Sequence, residues 1–228
     1  MSWLEHYRLV LLDFDGLLVD SERLHYRAYR EMCGARGYSL DLTFEEYCAI
    51  AHASSKGLSE MVYTRFPELL KEEPRWEVLY AEKQKAIHAL LEAGAATLMP
   101  GTEAFLTLLA QTGVNRCVVT HSPLALVRVL REQFPVLDAI PHWITREDYL
   151  TPKPHPECYQ MAIERYTQDE IAPVIGFEDS FRGLKALAGT RAQPVLIAPS
   201  LPTYAIPTVD HYLHFKSLEE IDANSTMA

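Results

Sequence analysis

The feature that most constrains this chain is a short apolar run that ends in two acidic residues. Residues 9–12 read LVLL and are followed by Asp13, Phe14, Asp15 and Gly16. A short apolar run bounded by a glycine turn predicts a buried strand that stops at its carboxyl end. Burying carboxylates at the carboxyl end of a strand costs free energy unless something compensates their charge, so the pattern predicts a cation-binding site.

The rest of the chain divides into a helical stretch and a stretch in which helices and strands alternate. Between Gly16 and Thr97 the apolar spacing predicts helices and no convincing strand, which indicates a helical insertion. Beyond it, short apolar strands alternate with helices, which predicts a parallel sheet with helices on both faces. We therefore expect an α/β fold with a Rossmann-like core formed by residues 1–17 and 97–228, and an α-helical cap domain formed by residues 18–96.

The composition argues against several classes of partner. The formal net charge is −10, whereas nucleic-acid-binding proteins cluster Lys and Arg against phosphates, so no nucleic acid is expected. No apolar run approaches the roughly 20 residues that span a bilayer, and the N-terminus lacks the apolar core of a signal peptide. The four cysteines are scattered without metal-ligand spacing, which is typical of reduced thiols. We expect a cytoplasmic protein without a membrane partner, and a monomer or a weak dimer.

Four separated segments carry polar residues where a strand or loop is predicted to end. They begin at residues 13, 118, 151 and 176 and read DFDGLLVDSE, VVTHS, TPKPHPECY and GFEDSFRG. In order and residue type these segments resemble the motifs of the haloacid dehalogenase superfamily of phosphotransferases, over nearly the whole chain. The chain is most similar to the branch with a helical cap between the first and second motifs, which includes β-phosphoglucomutase and many sugar-phosphate phosphatases.

The resemblance implies an enzyme that forms an aspartyl phosphate. Asp13 would be the nucleophile, because a carboxylate is already ionised at neutral pH and can split one difficult transfer into two steps. Asp15 would protonate the leaving oxygen and then deprotonate water. The alternative for Asp15 is a turn aspartate that caps the following amides.

Two further motifs are implied to hold the transferring phosphoryl group. Thr120 ends a predicted strand, and its hydroxyl with the amides of His121 and Ser122 would bind a phosphoryl oxygen. The family usually has a small residue at the position of His121. The side chain of His121 either points toward the cap or substrate or only fills space. Lys153, on a loop stiffened by flanking prolines, would offset the repulsion between nucleophile and phosphate. The alternative for Thr120 is a threonine that only ends a strand, and the alternative for Lys153 is a lysine on the surface.

The cofactor implied by the resemblance is Mg²⁺, which prefers hard oxygen ligands. The expected ligands are a carboxylate oxygen of Asp13, the backbone carbonyl of Asp15 and the carboxylate of Asp179. Glu178 is a direct ligand or a supporting residue behind the ligands. The alternative for these last two acids is a helix N-cap cluster.

The predicted cap should select the substrate by closing over the site. His25 corresponds to a histidine at the cap hinge of β-phosphoglucomutase, and a helix-surface histidine is the alternative. Residues 52–60 resemble the substrate-specificity loop, in which Ser55 and Lys56 are candidates to contact a leaving group or a second phosphate. A solvated lysine is the alternative for Lys56.

The function expected from these residues is a Mg²⁺-dependent phosphatase that acts on a small phosphorylated metabolite. A phosphomutase is the alternative, although the arginine-bearing loop that β-phosphoglucomutase uses to grip a distal phosphate is not found. From another class, the fold could serve as a non-catalytic binding or regulatory module. That interpretation is disfavoured because the chain keeps the residues such modules often lose, namely Asp13, Asp15, Thr120, Lys153 and Asp179.

Overall fold

The apolar run at residues 9–12 forms an inner strand of a parallel sheet. The structure is a computed structural model and describes residues 3–53, 56–167, 171–199 and 211–221. Within this part of the chain the strands are β1 (Leu9–Leu12), β2 (Asn115–Val119), β3 (His142–Ile144), β4 (Val174–Glu178), β5 (Gln193–Ile197) and β6 (Leu213–Phe215). They form one sheet in the order β3-β2-β1-β4-β5-β6, and every adjacent pair is parallel.

The helices in chain order are α1 (Ser21–Ala35), α2 (Phe44–Ala53), α3 (Gly57–Arg65), α4 (Pro67–Glu72), α5 (Trp76–Glu92), α6 (Thr102–Thr112), α7 (Leu124–Gln133), α8 (Glu157–Tyr166) and α9 (Phe181–Ala188). Short 3₁₀ helices lie at Trp3–His6, Pro135–Ala139, Arg146–Asp148 and Leu218–Glu220. None of the helices in the described ranges is long and apolar enough to cross a membrane.

Helices cover both faces of the sheet, which explains why every residue of β1 and β4 is buried without alternation. On one face Leu9 and Leu11 belong to the same buried cluster as Tyr159 of α8. On the other face Phe105 of α6 meets Phe177 of β4 edge-on, with ring centroids 5.1 Å apart. The predicted α/β fold with a Rossmann-like parallel sheet is confirmed.

The chain forms two compact units, one made of Met1–Val19 with Leu98–Ala228 and the other of Asp20–Thr97. The second, which we call the helical unit, contains α1 to α5 and has an aromatic core in which Tyr29 stacks on Trp76 at 6.2 Å. In the same unit α1 packs along α5, and Arg36 donates to both carboxylate oxygens of Glu82 at 2.6 and 2.8 Å.

One helix begins with a proline. Pro67 stands after α3 and is the first residue of α4 (Pro67–Glu72). A proline is tolerated in the first turn of a helix because its missing N–H would have no partner within the helix there. The four cysteines are free thiols; Cys33, Cys117 and Cys158 are buried and Cys48 is half-buried.

Candidate active site

Three strands of the sheet end beside one another and present polar residues at their carboxyl ends. Asp13 follows β1, Thr120 follows β2 and Glu178 is the last residue of β4. Backbone pairing continues past the strands, since the Asp13 amide donates to Phe177 O at 3.0 Å and the Thr120 amide donates to Ile144 O at 2.9 Å. Parallel strands bring their carboxyl ends to a single edge of the sheet, so residues distant in sequence converge there.

The ammonium of Lys153 lies at the centre of this edge. Its Nζ is 2.6 Å from Asp13 Oδ1 and 2.7 Å from Glu178 Oε1. It is also 2.9 Å from Val119 O and 2.9 Å from the hydroxyl of Tyr159. An ammonium has three protons for these four acceptors, and the side chain is nearly inaccessible to solvent. Sequence reasoning predicted Lys153 but missed Tyr159 and the Val119 carbonyl.

The buried charges strongly perturb one another. Burial and the charge of Glu178 raise the pKa of Asp13 above its ordinary value, while the neighbouring ammonium of Lys153 opposes them and favours the carboxylate. Burial lowers the pKa of Lys153, but the two carboxylates outweigh that effect and raise its pKa above the ordinary value. Two carboxylates and one ammonium leave an excess of negative charge, which a bound cation would neutralise.

Both oxygens of Glu178 already accept hydrogen bonds. Oε1 accepts from Lys153 and from the Tyr159 hydroxyl at 2.5 Å, while Oε2 accepts from the Ser180 hydroxyl at 3.3 Å. Gly183 of α9 makes room for this fully buried carboxylate, since a Cβ at that position would lie 1.9 Å from the carboxyl carbon. The glycine in the FRG sequence is the signal that could have indicated this close approach.

Asp15 is held by the segment that follows β2. Its Oδ2 accepts from the hydroxyls of Thr120 and Ser122, each at 2.8 Å. The Ser122 amide donates to Thr120 Oγ1 at 2.9 Å, so it is engaged within the segment. The structure thus brings together Asp13, Asp15, Thr120, Ser122 and Lys153.

His121 contacts the lysine loop. Its Nε2 accepts a hydrogen bond from the backbone amide of Lys153 at 2.9 Å, and its ring lies 5.9 Å from that of Tyr149. This contact to the main chain of the loop was not among the roles expected for His121.

The acidic residues of this edge fit a divalent metal ion. Asp13, Glu178 and Asp179 each offer one oxygen, and these oxygens lie within 4.8 Å of one another. Gly16, with φ of 84°, lets Asp179 approach the turn after β1, because a Cβ there would lie 2.2 Å from Asp179 Oδ2. Carboxylate oxygens are the ligands that Mg²⁺ prefers, so the residues fit the expected cofactor.

The helical unit contains a part-buried pair of which sequence reasoning predicted only His25. His25 is half-buried, and its Nδ1 lies 2.6 Å from the ammonium of Lys83. Lys83 is 1% exposed and lies over the rings of Tyr29 and Tyr80, 5.2 and 5.1 Å from their centroids. The burial of Lys83 could have been predicted from the sequence, because Lys83 follows Leu79 by four residues and so lies on the buried stripe of α5.

Two further residues expected to contact substrate are Lys56 and Ser55. Lys56 is exposed and precedes α3, where its carbonyl accepts from the hydroxyl of Ser59 at 2.7 Å. Ser55 lies outside the described residues.

The chain is similar over most of its length to several known proteins. It is 27% identical over 194 residues to protein CbbY of Cereibacter sphaeroides, covering 79% of each chain. It is 28% identical over 193 residues to the probable pseudouridine-5'-phosphatase of Drosophila melanogaster, covering 82% of this chain and 80% of that one. The crystal structure of CbbY from Rhodobacter sphaeroides in complex with phosphate superposes with a TM-score of 0.71 at 22% identity, covering 94% of this chain and 96% of that one.

The family model for haloacid dehalogenase-like hydrolases matches residues 7–189. The match spans all four motifs, from the strand that precedes Asp13 to the helix that follows Asp179. The resemblance seen in the sequence is thereby confirmed, and the chain belongs to the haloacid dehalogenase-like hydrolase family.

Proposed function

We propose that this protein is a Mg²⁺-dependent phosphatase that hydrolyses a small phosphorylated metabolite, such as a sugar phosphate, through an aspartyl phosphate. The observation that carries the proposal is the Lys153 ammonium between two buried carboxylates, 2.6 Å from Asp13 and 2.7 Å from Glu178. A fixed positive charge at the nucleophile offsets its repulsion with an anionic phosphoryl group. The family match and the name of the 28% identical relative support the same class of reaction.

The reaction consists of two displacements at phosphorus. A carboxylate oxygen of Asp13 attacks the phosphorus and the bond to the leaving oxygen breaks, while Asp15 gives its proton to that oxygen. Asp15, now ionised, takes a proton from a water molecule whose oxygen attacks the phosphorus and displaces Asp13. Inorganic phosphate leaves, and both side chains return to their starting states.

Thr120 and Ser122 would control the movement of Asp15. Both hydroxyls donate to Asp15 Oδ2 at 2.8 Å. Hydroxyl groups rotate freely and can donate to a phosphoryl oxygen instead. Exchange of one acceptor for the other would bind the phosphoryl group and release Asp15 for proton transfer in the same event.

Mg²⁺, when bound, supplies positive charge that neutralises the phosphoryl oxygens. Asp13 and Asp179 would hold it with carboxylate oxygens, and Asp15 with its backbone carbonyl. We assign Glu178 to holding Lys153, because both of its oxygens already accept hydrogen bonds.

The test of the nucleophile is release of phosphate from p-nitrophenyl phosphate with and without Mg²⁺. Asp13→Asn should abolish turnover, because an amide oxygen is a far weaker nucleophile than a carboxylate. The matched control is Asp41→Asn, the same change at an exposed aspartate of the helical unit, which should leave turnover unchanged. Turnover that persists in Asp13→Asn would show that the nucleophile is another group.

The substrate class is tested with a panel of sugar phosphates, nucleotides and phosphoglycolate. We expect phosphate release from at least one sugar phosphate at a higher kcat/KM than from p-nitrophenyl phosphate. Conversion of a hexose 1-phosphate to the 6-phosphate without phosphate release would instead identify a mutase. We also propose that His25, Ser55 and Lys56 contact the leaving group, so their substitution should change the ranking of substrates.

A further inference from the structure

The loop that carries Lys153 has an unusual backbone. Lys153 lies between Pro152 and Pro154, and neither proline has an N–H group. The amide of Lys153 is therefore the sole backbone donor of this tripeptide. It donates to Nε2 of His121 at 2.9 Å.

The flanks of the loop are held by other groups. The carboxylate of Glu157 accepts from the amides of Leu150 and Thr151 at 2.8 and 2.9 Å, which fixes the approach to the prolines. The amide of His155 donates to Pro152 O at 3.1 Å and closes a turn beyond the lysine. At the lysine itself, the imidazole of His121 is what holds the main chain.

We propose that His121 is a positioning residue for Lys153: its imidazole nitrogen accepts the one amide of the Pro152–Pro154 segment and so sets where the ammonium lies between Asp13 and Glu178. This inference rests on the phosphatase function proposed above and adds a residue to it. The ammonium and the amide belong to one residue, so a shift of the main chain moves the charge relative to the nucleophile.

The surroundings of His121 keep its ring able to accept. Burial lowers its pKa to about 3, and the positive charges of Lys153, Arg182 and Arg146 act in the same direction against the weaker opposing effect of Asp15. A neutral imidazole that accepts at Nε2 carries its proton at Nδ1. The ring lies 5.9 Å from that of Tyr149, whose hydroxyl donates to Thr120 O at 3.0 Å, so Tyr149 connects the histidine to the end of β2.

Loss of the acceptor should affect the chemical step more than binding. In His121→Leu the amide of Lys153 loses its partner, and a part-buried amide without a partner drives the loop to another position. A charge that moves by a fraction of an ångström stabilises the transition state less. We expect kcat to fall by about tenfold to a hundredfold, with KM changed by less than about threefold.

The experiment compares His121→Leu with His121→Gln, because the glutamine side chain can place an oxygen near the position of Nε2. His121→Gln should recover most of the lost kcat. His155→Leu is the matched control, since His155 is an exposed histidine of the same loop whose Nδ1 accepts from the Glu157 amide at 3.2 Å. Its kcat should equal that of the unmodified protein.

A second measurement separates this inference from the proposed function. In ¹⁵N-labelled protein the imidazole of His121 should show a proton on Nδ1 and none on Nε2 at neutral pH, whether or not any substrate is turned over. Inactivity of the unmodified protein would overturn the proposed function and leave this spectral test in place. The inference is overturned by a proton on Nε2, by an unchanged kcat in His121→Leu, or by a loss confined to KM. If His121→Leu does not fold, the glutamine variant and the spectrum decide the question.

Discussion

The hydroxyl of Tyr159 joins the two charged groups behind the nucleophile, so its removal tests how much this buried network stabilises the fold. The hydroxyl donates to Glu178 Oε1 at 2.5 Å and lies 2.9 Å from Lys153 Nζ. In Tyr159→Phe the ring keeps its packing. Lys153 retains three acceptors for its three protons. The net loss is therefore one hydrogen bond to a charged group, which is worth about 1.5–3 kcal/mol.

The assay is the free energy of unfolding from urea denaturation, supported by thermal unfolding. A loss of that size should lower Tm by roughly 3–12 °C, since 1 kcal/mol corresponds to roughly 2–4 °C for a chain of this length. Tyr149→Phe is the matched control, because its buried hydroxyl donates to a neutral acceptor, Thr120 O, at 3.0 Å. It should cost only about 0.5–1.5 kcal/mol. Equal losses in the two variants, or a larger loss in Tyr149→Phe, would refute the reasoning.

Three further outcomes are expected. Gly183→Ala should destabilise the fold and lower turnover because its Cβ would lie 1.9 Å from the Glu178 carboxyl carbon, whereas Gly34→Ala, with open space at its Cβ, should be neutral or stabilising in urea denaturation. Because the pKa of His121 is lowered to about 3 in the folded state, the unfolded chain binds the extra proton below about pH 6.5. The free energy of unfolding should therefore fall by up to about 1.4 kcal/mol for each unit by which the pH is lowered from about 6.5 to about 3, and His121→Gln should flatten this dependence. Asp179→Asn should raise the Mg²⁺ concentration for half-maximal turnover, and an unchanged Mg²⁺ dependence would contradict its assignment as a ligand.

The architecture could be predicted because it follows from local patterns. The buried run at residues 9–12 appears as β1 (Leu9–Leu12), and the helical insertion predicted between Gly16 and Thr97 contains α1 to α5. Parallel strands buried on both faces are apolar throughout, and helices repeat their apolar positions every three to four residues. Since parallel strands end at one edge, the sequence also indicated that Asp13, Thr120 and Glu178 would be neighbours.

The contacts behind the nucleophile could not be predicted in the same way. Lys153 was expected at the site, yet nothing in the sequence pattern marked Tyr159 as the residue that bridges it to Glu178. Lys83 likewise lies on the buried stripe of α5, where helical periodicity predicts an apolar residue and not a lysine. Periodicity records which face of an element is buried, and it does not record which groups from other elements meet that face.

The sequence by itself determined the order of strands and helices, the family and the edge of the sheet that carries the acidic residues. The tertiary structure decided which groups Lys153 binds. Its ammonium donates to Asp13, Glu178 and Tyr159, and its backbone amide donates to His121. Lys153 and Asp13 are 140 residues apart in the chain, so their 2.6 Å contact depends on the packing of the whole sheet. Hydrogen-bond partners are chosen by distances of tenths of an ångström, which only the folded chain fixes.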